Sequence, residues 1–156
     1  MFNIALLEPE IPPNTGNIIR LAANTGCRLH LIRPLAFTLD NRRMRRAGLD
    51  YSEFASIGVH CDYETFLCEA DVDADRIFGV STRGTTSYHA TTLRRGDTLL
   101  FGPETRGLPD RILDTLLPGH CLRIPMLPER RSLNLSNAAS IAVYEGWRQL
   151  DFEGAH

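Results

Sequence analysis

The segment NIALLEPEIPPNTGNIIRLAANTGCRLHLI, residues 3–32, holds two strand patterns with a helix between them. Asn3–Leu7 is a short aliphatic run that reads as a strand. A proline-rich loop follows, and the pattern predicts a helix from about Thr15 to Asn24, ended by Gly26. Leu29–Ile32 is a second strand. The rest of the chain repeats this alternation. Strands are predicted at Ser56–His60, Arg76–Ser81, Thr98–Phe101 and Cys121–Ile124. Helices are predicted at Tyr63–Glu69 with Asp62 as N-cap, at Pro109–Leu116, and from about Ser136 to Leu150. Such alternation implies an α/β fold, a mainly parallel sheet flanked by helices. In these sheets a ligand sits beyond the carboxyl ends of the strands. Three loops rich in Gly, Pro, Asn and Ser lie there: Glu8–Arg20, Gly102–Pro109 and Pro125–Asn137.

With 156 residues, no internal repeat and no linker, a single domain spanning 1–156 is expected. No apolar run approaches the ~20 residues of a membrane span. The start, MFNIALLEPEIPP, has acids but no basic n-region, so a cytoplasmic protein is expected. Cys27, Cys61, Cys68 and Cys121 share no CxxC spacing and the histidines no paired-ligand pattern, so no metal site is expected and the thiols read as buried and reduced.

The net charge is −2, and all 17 basic residues are arginine. Their distribution is uneven: Asp62 to Asp75 holds six acids and no base, whereas Arg42, Arg43, Arg45 and Arg46 form the densest positive cluster. Several nucleotide chemistries are excluded. No GxGxxG occurs, GVSTRG at Gly79–Gly84 has Thr85 where a P-loop needs lysine, and there is no GxSxG elbow.

Three motifs remain. NTGNIIR, Asn14 to Arg20, puts Gly16 near a helix start, where exposed amides suit an anion, and adds a guanidinium at Arg20 able to hold a phosphate. In LLFGPETRGLP, Leu99 to Pro109, Gly102 would let a flat ring approach the backbone and Glu104 adds a carboxylate in a restrained turn. In RIPMLPERRSLNLSNAASIAVYEGW, Arg123 to Trp147, the compact polar residues Ser132, Asn134, Ser136 and Asn137 gather at a helix start, with Asn134 or Ser136 suited to cap it.

In order and spacing, NxGNxxR, FGxExxGLP and IPM…SLNLSxA resemble the three motifs of the SpoU branch of the SPOUT methyltransferases. The match is closest to its small members acting on cytidine or uridine ribose in tRNA, and it covers nearly the whole chain. The resemblance implies an α/β sheet with a C-terminal deep trefoil knot over roughly residues 76–150. It implies S-adenosylmethionine as methyl donor, S-adenosylhomocysteine as product, and no metal. By position, Val80, Gly102, Ile124 and Ser132 would line the cofactor pocket, with Met126 and Leu133 as neighbours. Arg20 would serve activation of the ribose 2′-hydroxyl, and Asn14, Glu104, Ser132 and Asn134 would position substrate and cofactor. A guanidinium is effectively always protonated, so Arg20 is better suited to hold phosphate and developing alkoxide charge than to act as a base.

The implied partners are tRNA, at the wobble nucleotide of leucine tRNAs, and a second copy of the chain. Arg42–Arg46, Arg130 and Arg131 would grip RNA. The C-terminal helix carries small Ala138, Ala139, Ala142 and Gly146 beside apolar Ile141, Tyr144, Trp147 and Leu150, a pattern expected of a homodimer seam. Two alternatives stand beside this reading: a 2′-O-methyltransferase of ribosomal RNA, and a non-catalytic nucleotide-binding module of flavodoxin-like fold.

Overall fold

The computed structural model describes residues 1–38 and 57–155. In chain order the elements are β1 (Asn3–Leu7), α1 (Pro12–Thr25), β2 (Arg28–Ile32), β3 (Ile57–His60), α2 (Tyr63–Glu69), β4 (Ile77–Val80), β5 (Thr86–Ser87), β6 (Thr98–Phe101), α3 (Asp110–Leu113), β7 (Cys121–Arg123) and α4 (Leu135–Gln149), with one-turn 3₁₀ helices before β4 and after β5. The seven strands form one sheet in the order β3-β2-β1-β6-β4-β7-β5. Every pairing is parallel, from Ile4 opposite Leu29 and Leu99 to Thr86 opposite Leu122.

Side chains of a strand alternate between faces, and β1 shows where each face leads. Ile4 and Leu6 join Ile18, Ile19, Leu99, Ala139 and Val143 in a core beneath α1 and α4. Ala5 and Leu7 point the other way, into a core with Phe66, Leu100, Leu108 and Ile112 beneath α2 and α3. All five residues of β1 are buried, which makes it the central layer of a three-layer sandwich.

Local signals explain most boundaries. Gly26 ends α1 in the left-handed conformation, φ 67°, as its position predicted. Helix α1 begins earlier than expected, at Pro12 and Pro13, because the first helical positions lack an intrahelical N–H partner and accept proline. Asp62 caps α2 by accepting from the Thr65 amide at 2.7 Å. The two-residue strand β5 was not anticipated, and α3 is only one turn of the predicted Pro109–Leu116.

Two expectations need correction. Cys61 and Cys68 are exposed, while Cys27 is buried and Cys121 partly so. The small residues of α4 do not await a second helix: Ala139, Ala142 and Gly146 face the chain's own core. At Gly146 a Cβ would sit 2.7 Å from the Phe2 ring, so glycine is there to admit Phe2. The more exposed side of α4 carries Ile141, Tyr144 and Trp147 instead. Arg42, Arg43, Arg45, Arg46 and Ser56 lie outside the described residues. No described helix is long and apolar enough to cross a membrane.

Candidate active site

A cavity of about 540 Å³ opens at the carboxyl ends of β4, β6 and β7. Its wall is made by Val80–Thr82 after β4, Phe101–Gly107 after β6, Ile124, Met126 and residues 131–135 between β7 and α4, and Ile11 and Asn14 from the start of α1. Parallel strands all end on one side, so loops distant in sequence converge there. Ile11, Val80, Phe101, Ile124, Met126 and Leu133 supply apolar surface, short polar side chains and backbone lie between them, and Glu104, Arg106 and Arg131 bring charge to the wall. That is the usual make-up of a small-molecule site, with few polar groups fixing orientation.

A chain of side-chain hydrogen bonds joins the three motifs. The Asn14 amide Nδ2 donates to Glu104 Oε1 at 3.0 Å. Asn134 Nδ2 donates to Asn14 Oδ1 at 2.8 Å. Asn134 Oδ1 in turn accepts from the Ser136 amide at 2.9 Å, the Ser136 hydroxyl at 2.7 Å and the Asn137 amide at 3.4 Å. Asn134, not Ser136, is therefore the cap of α4. The ends set the polarity. An ionised carboxylate only accepts and a helix N-terminus only donates, so each amide between them has a single workable orientation.

A second set of bonds closes the β1–α1 loop onto the β6–α3 loop. Glu104 accepts from the backbone amides of Glu10 (2.8 Å) and Ile11 (3.1 Å). Glu10 reciprocates, accepting from the Thr105 amide at 3.0 Å and the Thr105 hydroxyl at 2.7 Å. These Thr105 bonds, with Arg106 nearby, hold the Glu10 carboxyl below its ordinary range. Arg106 also meets Glu8 at 3.1 Å. With three donors on its two oxygens, Glu104 is a positioning residue that fixes the loops.

Gly102, in the cavity wall, also has a reason that its sequence did not suggest. A Cβ there would lie 2.3 Å from the backbone of Gly107 and Leu108. The close approach that demands glycine is made by the loop's own chain as it folds back.

Nine of the ten residues singled out from the sequence line this one cavity: Asn14, Val80, Gly102, Glu104, Ile124, Met126, Ser132, Leu133 and Asn134. Arg20 does not. It is exposed on α1, six residues after buried Asn14, and at about 100° per residue the two side chains leave the helix roughly 120° apart. Of the RNA-gripping candidates, Arg131 lines the cavity and Arg130 is exposed beside it. Sequence reasoning missed Ser81, Thr82, Thr105 and Arg106 in the wall and Glu10 in the clasp. Position after a strand could have found the first pair, since Ser81 and Thr82 directly follow β4.

The motif-bearing loops and the cavity they enclose agree with what the chain resembles. The model of the SpoU rRNA Methylase family matches residues 1–144. A tRNA (cytidine(34)-2'-O)-methyltransferase of Saccharophagus degradans is 58% identical over 99% of both chains. A solved structure concerned with 2-OH methylation of C/U34 on tRNA superposes with a TM-score of 0.86 at 43% identity, covering 98% of each chain. An AdoMet-bound rRNA methyltransferase from Sinorhizobium meliloti superposes at 0.78 with 27% identity, over 96% of this chain and 56% of that one. With its three motifs assembled on one cavity and the family's pattern matched over nearly its full length, the chain belongs to the SpoU methylase family.

Proposed function

We propose that this protein methylates the ribose 2′-hydroxyl of nucleotide 34, a cytidine or uridine, in tRNA, using S-adenosylmethionine. The observation that carries this reading is the Glu104–Asn14–Asn134 chain, which draws all three motif loops around one cavity. The similarity to the cytidine(34) enzymes supports the substrate.

The cavity fits the cofactor. Its volume lies in the range of small-molecule pockets, apolar Val80, Ile124, Met126 and Leu133 suit a flat base, and exposed strand-end backbone suits its polar edges. When bound, S-adenosylmethionine would supply an electrophilic methyl group on a cationic sulfur for the ribose 2′-oxygen, the hydroxyl proton going to solvent and the S–C bonding pair staying with neutral S-adenosylhomocysteine. The chain's own task is alignment. Glu104 and Asn14 set the loop after β6, and Asn134 sets the start of α4 and with it Ser132 and Leu133. Arg20 holds phosphate and stabilises charge developing on the ribose oxygen.

Because Arg20 stands apart from the cavity lining, we assign it to the cavity of a second copy in a homodimer, through the face of α4 that carries Ile141, Tyr144 and Trp147. In this reading residues 1–156 form one methyltransferase domain acting in the cytoplasm. The C-terminal trefoil knot belongs to the same proposal. Strand β7 lies between β4 and β5, which are successive in sequence, and the loop joining them passes against β7 so closely that a Cβ on Gly84 would be 2.4 Å from the Leu122 backbone.

The test is position-resolved mapping of 2′-O-methyl groups in tRNA and ribosomal RNA incubated with the protein and labelled S-adenosylmethionine. Methyl at nucleotide 34 is expected; label in ribosomal RNA alone would transfer the reading to that substrate. Arg20→Ala should keep cofactor affinity and lose turnover by about 100-fold or more. Mixing it with Gly102→Val, whose side chain deforms the cavity wall, should restore part of the activity. Heterodimers without recovered activity would place Arg20 in its own subunit's site.

A further inference from the structure

The loop from Ser81 to Thr85, between β4 and β5, contributes Ser81 and Thr82 to the cavity and is held almost without slack along β7. The Ser81 amide donates to Leu122 O at 2.9 Å, and the Gly84 amide donates back to Ser81 O at 3.1 Å. The Ser81 hydroxyl accepts from the Arg83 amide at 3.2 Å, which tightens the turn. Gly84 itself rests on the Leu122–Arg123 backbone.

Arg83 then leaves this loop for the opposite wall. One Nη donates to Leu108 O at 3.2 Å, and the other meets the Asp110 carboxylate at 2.6 Å. The peptide joining Gly107 to Leu108 fills the space beside Gly102, so the position of Leu108 helps set how the arc 102–107 lies over the cavity. Arg83 therefore spans from the wall after β4 to the end of the wall after β6. A guanidinium suits this span because its planar fork can serve a carbonyl and a carboxylate at once.

We infer that Arg83 is a positioning residue for the cofactor: by tying the loop after β4 to the loop after β6 it fixes the width of the cavity, and with it the affinity for the nucleoside ligand. This rests on the cavity being the S-adenosylmethionine site. The Leu108 bond carries more of the effect than the Asp110 pair, because the two charged side chains are 51% and 79% exposed and such pairs are weak.

The experiment is calorimetric titration of the full chain with S-adenosylhomocysteine, alongside thermal unfolding without ligand. Arg83→Ala should raise Kd about five- to tenfold, the size of one lost hydrogen bond plus a weak pair. Arg83→Lys should recover only part, since one ammonium cannot serve both partners in the same geometry. Asp110→Asn should raise Kd about twofold, an effect that vanishes in high salt. A purely structural role would lower the unfolding temperature and leave Kd alone, and that result overturns the inference. Should Arg83→Ala not fold, an unchanged Kd in both Arg83→Lys and Asp110→Asn overturns it equally. If the unaltered protein takes up no S-adenosylhomocysteine, the cavity assignment itself fails; if it binds and the variants match it, only the role of Arg83 falls.

Discussion

Among the described residues, the polar chain at the cavity and the one at the β3 edge of the sheet each string together three side chains, and they are built on opposite principles. At the cavity, Glu104, Asn14 and Asn134 run from a carboxylate to the donors of a helix N-terminus. Near β3, Glu69 meets His60 Nδ1 at 3.3 Å, and His60 Nε2 meets His30 Nδ1 at 3.1 Å. In the His60 tautomer that donates to Glu69, Nε2 is an acceptor and His30 Nδ1 the donor. The chain then ends on His30 Nε2, which is buried without a partner among the described residues. Amides do not titrate, so Asn14 and Asn134 gain no charge as the pH changes. Imidazoles do, so the second is a place where protons and stability are linked. Burial, then the neighbouring charges of His60 and Arg28, press the His30 pKa down to about 4.

The sharpest way to break the contrast is to put a charge into the amide chain. Asn14→Asp would set a second carboxylate against Glu104 at a site only 4% exposed, and should cost about 3 kcal/mol or more near pH 7.5. Protonated, the new side chain could donate to Glu104, so its folded pKa is raised and stability should recover as pH falls. Urea unfolding at pH 7.5 and 5.5 would show this; a variant as stable as the parent at both would mean the chain's polarity is unimportant. A smaller effect of opposite sign belongs to His30. Its folded pKa is lowered, so its contribution is complete above about pH 6.5 and is lost as pH falls towards 4. His30→Gln should flatten the decline in stability over that window, and an identical slope would remove His30 from the linkage. Smallest of all, Glu69→Gln should change stability by less than about 1 kcal/mol, because Glu69 is 62% exposed and the amide oxygen can accept the same bond. A loss above 2 kcal/mol would make that carboxylate as fixed as Glu104.

The same contrast explains what could be read before the structure was known. Strand β1, the Gly26 stop and the Asp62 cap are local events, and each was legible from adjacent residues. So was the gathering of motif residues at strand ends, because a parallel sheet leaves them nowhere else to go. The direct bonds between those residues were not legible, since Asn14 and Asn134 are far apart in sequence and either amide could have faced solvent. Gly102 was only half legible for a related reason. Glycine signals that something comes close, but not whether the neighbour is a ligand or the chain itself, and at Gly102, as at Gly84, the chain's own backbone is one such neighbour. The inward-facing small residues of α4 teach the same lesson, with Phe2 as the unseen neighbour of Gly146.

The placement of β7 also bears on the chain while it is being made. Among the described residues, strand β5 pairs with β7 alone, and β4 has β7 on its outer edge. A growing chain that has released Thr86 and Ser87 from the ribosome can give them no sheet partner until Cys121–Arg123 has followed. At about 5–20 residues per second that wait lasts on the order of seconds. From the time Thr98–Phe101 has joined β4 to the sheet until β7 arrives, Ile77–Val80 presents an open, apolar sheet edge of the kind that recruits other chains. The nascent protein thus passes through a period of exposure fixed by strand order, during which a chaperone has most to offer.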